Sequence, residues 1–139
     1  MRILAIDYGQ KRTGLAVTDM LRITANPLLT VETAKLREWL RCELAKGEID
    51  TVVIGHPTQL NGQDSASMEY IRPFENWFKK QFQTIQLVAF DERFTSTLAH
   101  RAMIDGGMKK KDRRNKSIVD KIAACIILEG YLDAENQQH

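Results

Sequence analysis

Short apolar runs separated by turn residues make up the first third of the chain, a pattern typical of β-strands. Three strands are predicted as an antiparallel meander: Arg2 to Asp7, Thr13 to Asp19, and Ile23 to Val31. Pro27 lies within the third run. Because proline has no backbone N–H to donate to a neighbouring strand, we expect the third strand at the edge of the sheet.

From Thr33 onward, apolar residues recur at intervals of three and four, which is the spacing of an amphipathic helix. The remaining predicted elements are a helix from Thr33 closed by Gly47, a strand from Thr51 to Gly55, a helix from Met68 through Phe82, a strand from Ile85 to Phe90, a helix from Thr95 to Gly106, and a last helix from Ser117 through Tyr131. Meandering strands followed by βαβ crossovers predict an α/β fold, with a five-stranded mixed sheet flanked by helices.

The composition is that of a globular protein, with 43% hydrophobic and 27% charged residues. The 139 residues are enough for one domain, 1–139, with its own core. Only the polar end, Ala134 to His139, is expected to be disordered. Met1 and Arg2 lead directly into a strand, which leaves no room for a signal-peptide core, and no apolar segment approaches membrane-spanning length. We therefore expect a cytoplasmic protein with no membrane partner.

The two cysteines, Cys42 and Cys125, lie far apart in helical patterns, with no second Cys or His at ligand spacing. Both are predicted to be buried thiols. This pattern argues against zinc, so any metal should be a hard ion bound by oxygen.

Acidic residues follow two predicted strands, at the edge where a parallel sheet presents its ligand site. Asp7 ends the first strand, and Asp91 and Glu92 follow the strand that ends at Phe90. Successive strand residues point to opposite faces, so only one acid of the pair can face Asp7. We choose Glu92 for its longer side chain. The alternatives are an aspartate that starts a turn, and charges at a strand end or a helix start.

Asp120 is the third candidate, and its helical face is mostly apolar. That face contains Ala123, Ala124, Ile127 and Tyr131, so the carboxylate is expected to point at the sheet. The alternative is a capping box opened by Ser117, with Asp120 in place of the usual glutamate.

Three carboxylates packed together would repel one another unless cations lie between them. Two Mg²⁺ or Mn²⁺ ions roughly 3.5–4 Å apart can hold the attacking water and the leaving oxygen of an in-line phosphoryl transfer. Asp7, Glu92 and Asp120 are therefore predicted as catalytic metal ligands.

Glycines and basic residues are predicted to surround this site. The loop residues expected near it are Gly9, Gly14, His56, Asn61 and Gly62. The net charge of +2 does not by itself indicate a nucleic-acid partner, but cations are concentrated before the last helix. The residues expected to contact nucleic acid are Lys11, Arg12, Lys109, Lys110, Lys111, Arg113, Arg114 and Lys116. A charge run is also typical of a solvated loop, and only its position beside the predicted metals favours binding.

Four segments, in order, resemble the YqgF (RuvX) family of RNase H-like bacterial proteins. They are Asp7 to Val17, Ile54 to Pro57 with Asn61-Gly62, Asp91 to Ser96, and Val119 to Leu128. Members are described as candidate Holliday-junction resolvases and as nucleases that mature the 5′ end of precursor 16S ribosomal RNA. The resemblance implies an RNase H-like fold, divalent-metal phosphodiester cleavage, and Asp7, Glu92 and Asp120 as the acidic site. The chain departs from the family at Gly55-His56-Pro57, where Gly-Leu-Pro is usual.

The sequence does not distinguish a branched-DNA substrate from an RNA substrate, or a dimer from a monomer. A Holliday-junction resolvase should be a two-fold dimer, whereas a nuclease that trims RNA can act alone. No long apolar stripe is left for an interface, which favours a monomer or weak homodimer acting on RNA, including ribosomal precursor particles. Two other interpretations are a nucleotide-binding half of the actin and hexokinase superfold, which needs two such domains, and a non-catalytic nucleic-acid or ribosome-binding adaptor.

Overall fold

The computed structural model describes residues 1–57, 68–91 and 116–137. The strands are β1 (Arg2–Tyr8), β2 (Arg12–Thr18), β3 (Ala25–Glu32), β4 (Ile49–His56) and β5 (Gln86–Asp91). The described helices are α1 (Thr33–Leu44), α2 (Met68–Gln81) and α3 (Lys116–Gln137). The helix predicted from Thr95 to Gly106 lies outside the described residues.

The sheet has five strands in the order β3-β2-β1-β4-β5. The first three strands pair antiparallel, whereas β4 is parallel to β1 and β5 is parallel to β4. The mixed sheet predicted from the sequence is confirmed. Pro27 lies in β3, at the edge of the sheet, where its missing N–H costs no ladder hydrogen bond on the outer side.

Helices cover both faces of this sheet, and the described residues form one hydrophobic core on each face. α1 and α2 pack on one face, against side chains such as Leu4, Ile6 and Ile54. α3 packs alone, among the described helices, on the other face, against Ile3 and Ala5. Alternate residues of each strand thus belong to different cores, which is the period-2 pattern of a sheet buried on both sides.

Two expectations about the helices were wrong. α3 continues to Gln137, so the tail expected from Ala134 is helical over most of its length. Leu132 is buried there, and the Tyr131 hydroxyl donates a hydrogen bond of 2.7 Å to Glu135 one turn later. Cys42 is exposed, not buried, because α1 directs Leu36, Leu40 and Leu44 to the core and Cys42 lies on another side. Cys125 is buried as predicted.

None of the helices in the described ranges is long and apolar enough to cross a membrane.

Candidate active site

Asp7 lies on the α3 face of the sheet, at the end of β1. Ile3 and Ala5 contribute to the core under α3, and strand alternation places Asp7 on the same side two residues further along. Its side chain is partly buried. The carboxylate is therefore held at the edge of the sheet beneath the start of α3.

Gly14 explains how α3 comes so close to Asp7. Gly14 is the register partner of Asp7 in the antiparallel β1–β2 ladder. A Cβ atom on residue 14 would overlap the backbone carbonyl of Asp120. The backbone of α3 thus lies directly on β2 at this point, and it brings Asp120 to the position beside Asp7. Gly14 has no positive φ, so close approach is the reason that glycine is needed here.

The Asp120 carboxylate points toward the sheet, as helical spacing predicted. Its Oδ2 atom accepts a hydrogen bond of 2.8 Å from Nε of Arg12. Arg12 was expected to contact nucleic acid, and the structure pairs it with a predicted metal ligand. The two residues are 108 positions apart, so no local pattern could have revealed this contact.

The turn between β1 and β2 is held against the start of α1. The Thr33 hydroxyl donates a hydrogen bond of 2.6 Å to the Gly9 carbonyl, and the Thr33 amide donates one of 3.0 Å to the Lys11 carbonyl. A side chain at Gly9 would overlap the backbone carbonyl of Arg12. The turn is therefore tight, and Thr33 is a supporting residue that sequence reasoning missed.

His56 contacts a carboxylate of α2. It is the last residue of β4 and lies on the same face as Val52 and Ile54, which is covered by α1 and α2. Its Nε2 atom is 2.8 Å from Oε2 of Glu75 in α2. The carboxylates Asp7 and Asp120 lie on the opposite face. Period-2 alternation along β4 therefore places His56 at the same edge of the sheet as Asp7 but on the other face, so its expected part in the site stays a prediction.

Tyr8 also lies on the α1 and α2 face, one residue beyond Asp7. Its ring stacks on Phe74 with centroids 4.8 Å apart and lies 5.9 Å from Tyr70. Burial raises the pKa of Tyr8, and the charge of Arg37 partly opposes that shift. Tyr8 is therefore a neutral packing residue at neutral pH.

The direction of the side chains in β5 bears on the choice of Glu92 over Asp91, although β5 ends at Asp91. Val88 and Phe90 pack into the core under α3, whereas Leu87 packs into the other core. Alternation thus assigns Asp91 to the face away from Asp7. Glu92, Asn61, Gly62 and the basic residues from Lys109 to Arg114 lie outside the described residues. Lys116 is the first residue of α3.

The donor set that the structure brings together fits a hard divalent cation. Asp7 and Asp120 would offer carboxylate oxygens, which are the ligands that Mg²⁺ prefers. The close approach at Gly14 lets β1 and α3 contribute to one place. Within the described part of the chain no group of three acidic, histidine or cysteine residues is assembled, so the third ligand, Glu92, stays a prediction.

Comparison with known proteins identifies the family. A profile of the family described as "RuvX: Holliday junction resolvase" matches residues 1–134. The chain belongs to this family. Relatives carrying the name "Putative pre-16S rRNA nuclease" include one from Phocaeicola vulgatus, 52% identical over 96% of both chains, and one from Bacteroides thetaiotaomicron, 48% identical over 96% of this chain and 97% of the relative.

Solved structures support the same fold at lower sequence similarity. Thermus thermophilus RuvC, in a structure with a Holliday junction substrate, is 17% identical to this chain and superimposes with a TM-score of 0.60 over 97% of it and 96% of RuvC. A second structure of that protein gives a TM-score of 0.58. The five-stranded sheet with helices on both faces is therefore the RNase H-like fold shared with RuvC.

Proposed function

We propose that this chain is a divalent-metal-dependent nuclease that processes the 5′ end of precursor 16S ribosomal RNA. The observation that carries the proposal is the convergence of Asp7 and Asp120 on one face, across Gly14, in a member of the RuvX family. Relatives about half identical over nearly their whole length are named for that substrate.

The chemistry follows from the two carboxylates. Mg²⁺ or Mn²⁺ bound by Asp7, Asp120 and the predicted ligand Glu92 would lower the pKa of an attacking water and neutralise charge on the scissile phosphate. The protein fixes the position of the two ligands through strand pairing and helix packing. Asp7 is held by its pairing with Gly14 of β2, one residue beyond the last β1–β4 pair, and Asp120 by the packing of α3 on β2.

A Holliday-junction resolvase is the second candidate. The description of the family and the RuvC fold favour it. A resolvase must present two active sites to one symmetric junction, so it should form a stable two-fold dimer. We infer a monomer or weak dimer that acts on RNA in the cytoplasm, within ribosomal precursor particles.

The test is cleavage of two defined substrates by the full chain in Mg²⁺ and in Mn²⁺. One is an RNA that contains the 5′ extension of 16S ribosomal RNA, and the other is a four-way DNA junction. We expect metal-dependent cleavage of the RNA. Cleavage of the junction alone, by a stable dimer, would favour the resolvase, and metal-dependent cleavage of neither substrate would favour the adaptor.

The ligand assignment is tested by Asp7→Asn, Asp120→Asn and Glu92→Gln. Each variant should lose cleavage. Asp7→Asn and Glu92→Gln should leave stability unchanged or raised, because repulsion between carboxylates is relieved, whereas Asp120→Asn also loses the partly exposed ion pair with Arg12 and should change stability little. Asp91→Asn is the matched control. It removes the neighbouring charge on the other face and should retain activity. If Asp91→Asn is as inactive as Glu92→Gln, the wrong acid of the pair was chosen.

A further inference from the structure

The contact between Arg12 and Asp120 places a cation on a predicted metal ligand. We propose that Arg12 competes with the metal for Asp120: it occupies an oxygen of the Asp120 carboxylate until a divalent cation displaces it, and its guanidinium then binds a phosphate of the substrate. This inference rests on the proposed metal-dependent nuclease function. It gives Arg12 an effect on metal affinity in the absence of nucleic acid, which a residue that only binds phosphate would not have.

The position of Arg12 is built into the fold. Its backbone pairs with Glu32 of β3, and its carbonyl lies against Gly9 in the tight turn. Alternation along β2 puts Arg12 on the same face as Gly14 and Ala16, under α3. The side chain thus leaves the sheet beside the start of α3, and its contact with Asp120 follows from the backbone on both sides.

The contact between Arg12 and Asp120 is weak enough for a divalent cation to displace Arg12. The Arg12 side chain is 40% exposed and the Asp120 side chain 24%, so water weakens their attraction. A partly exposed ion pair contributes little stability, whereas a divalent cation gains from every carboxylate it binds. The Arg12 guanidinium opposes metal binding at Asp120 in two ways: it occupies a carboxylate oxygen, and its positive charge repels the incoming ion.

Among the described residues, the Arg12 guanidinium uses only one of its nitrogens, which leaves its terminal nitrogens for a phosphate in the proposal. Only Nε is used on Asp120. Within the described ranges, no hydrogen bond of the two terminal nitrogens of Arg12 is found. An arginine presents these nitrogens as a planar fork that matches two phosphate oxygens, which lysine does not. With a cation bound at Asp120, the terminal nitrogens of Arg12 would be available to bind a phosphate of the substrate.

The experiment is a calorimetric titration of the full chain with Mn²⁺ alone, in the absence of nucleic acid. We expect Arg12→Gln to bind Mn²⁺ about two- to fivefold more tightly than wild type, since it removes a competitor of the strength of a partly exposed ion pair. Lys11→Gln is the charge-matched control: it removes a neighbouring cation that does not contact Asp120, and its Mn²⁺ affinity should change less. In an Asp120→Asn background, Arg12→Gln should no longer tighten Mn²⁺ binding.

The second readout uses substrate. At saturating Mg²⁺, Arg12→Gln should raise KM for the RNA more than it lowers kcat, and Arg12→Lys should recover only part of the loss because it restores charge without the fork. Unchanged Mn²⁺ affinity in Arg12→Gln would mean a simple phosphate contact, and weaker affinity would mean that Arg12 only supports Asp120; either result overturns the inference. If wild type itself shows no saturable Mn²⁺ binding, the proposed function fails and this inference fails with it.

Discussion

At the scale of single residues, Gly14 is the position where the fold depends most on one missing side chain. Alanine there would overlap the backbone of Asp120, which cannot move aside as a flexible side chain could. We expect Gly14→Ala to cost about 3 kcal/mol or more, at or above the upper range for overpacked positions. The free energy of unfolding from urea titration measures this cost.

The control for that variant is Gly47→Ala. Gly47 has a φ of +75°, and a methyl group at this position would have nothing within 4 Å, so the substitution carries backbone strain alone, about 1–2 kcal/mol. Gly47→Ala should keep Mn²⁺ binding, whereas Gly14→Ala should lose it, because α3 is pushed away from β2. Equal losses of stability and retained Mn²⁺ binding in both variants would contradict the role given to Gly14.

The two thiols should differ sharply in reactivity. Cys42 is exposed, whereas Cys125 is buried, and burial, together with the neighbouring Glu129 carboxylate, raises the pKa of Cys125 to about 11. At pH 8 iodoacetamide should label Cys42 and leave Cys125 unmodified, as mass spectrometry of the native protein would show, because only the thiolate reacts. In denaturant both should react. Similar native rates at the two sites would show that Cys125 is not buried between α3 and the sheet.

The raised pKa of Cys125 makes the stability of the protein depend on pH in the alkaline range. Because the folded-state pKa of Cys125 lies above the unfolded value of 9.0, the protonated thiol contributes stability that is fully present below pH 9. That contribution is lost as the pH rises through about 11.

At the scale of elements, the Asp19 carboxylate supports the turn between β2 and β3, which backbone hydrogen bonds between Asp19 and Thr24 and between Arg22 and Asp19 also close. Asp19 Oδ1 accepts hydrogen bonds of 2.7 Å from the Ile23 amide and 2.9 Å from the Thr24 amide. The turn includes Arg22 with a φ of 59°, a left-handed conformation that needs such support. The hydrogen bond from the Thr24 amide is the main reason that the pKa of Asp19 is lowered.

We expect Asp19→Ala to lower the melting temperature, and Asp19→Asn to lower it less, because an amide oxygen can still accept both hydrogen bonds. The sign of the pH dependence follows from the lowered pKa. The stabilisation by Asp19 is present above the unfolded pKa of 3.8 and is lost as the pH falls through the lower folded-state pKa. Thermal melts of wild type and Asp19→Asn between pH 2 and 7 measure it. A difference between them that does not shrink toward low pH would contradict this account.

At the scale of the whole molecule, the predicted metal site and the basic stretch before α3 are neighbours in sequence. Each phosphate contact contributes about −0.7 to the slope of log K against log salt for single strands, and about −0.9 for duplex DNA. Changing Lys110, Arg113 and Arg114 to alanine should therefore weaken binding of all sequences alike and flatten that slope by roughly two to three units. Filter binding over a salt series measures both effects.

A charge-matched triple variant provides the control. The control residues lie toward the other end of the molecule from Asp7: Arg2 begins β1, Lys46 precedes β4, and Lys79 is in the last turn of α2, before β5. Changing these three to alanine alters the net charge equally and should leave the slope nearly as in wild type. If the two triple variants behave alike, the substrate path runs elsewhere, and Lys11 with Arg12 is then the alternative route.

The sequence by itself determined most of the architecture. Strand and helix periods depend only on neighbouring residues, so the meander, the later strands and the edge position of Pro27 could all be predicted. Asp7 could be placed at a strand end for the same reason, and the ordered motifs pointed to the family that the comparisons then identified.

Only the tertiary structure decided which elements meet. Periodicity shows which residues share a face of a strand, but not which helix covers that face. His56 was expected near the acids because it ends a parallel strand at the same edge of the sheet, and the structure pairs it with Glu75 on the face covered by α1 and α2. Likewise, Arg12 reaches Asp120 only because the backbone of α3 lies on Gly14. Contacts between residues about a hundred positions apart depend on how closely two backbones pack, and no short segment of sequence encodes that distance.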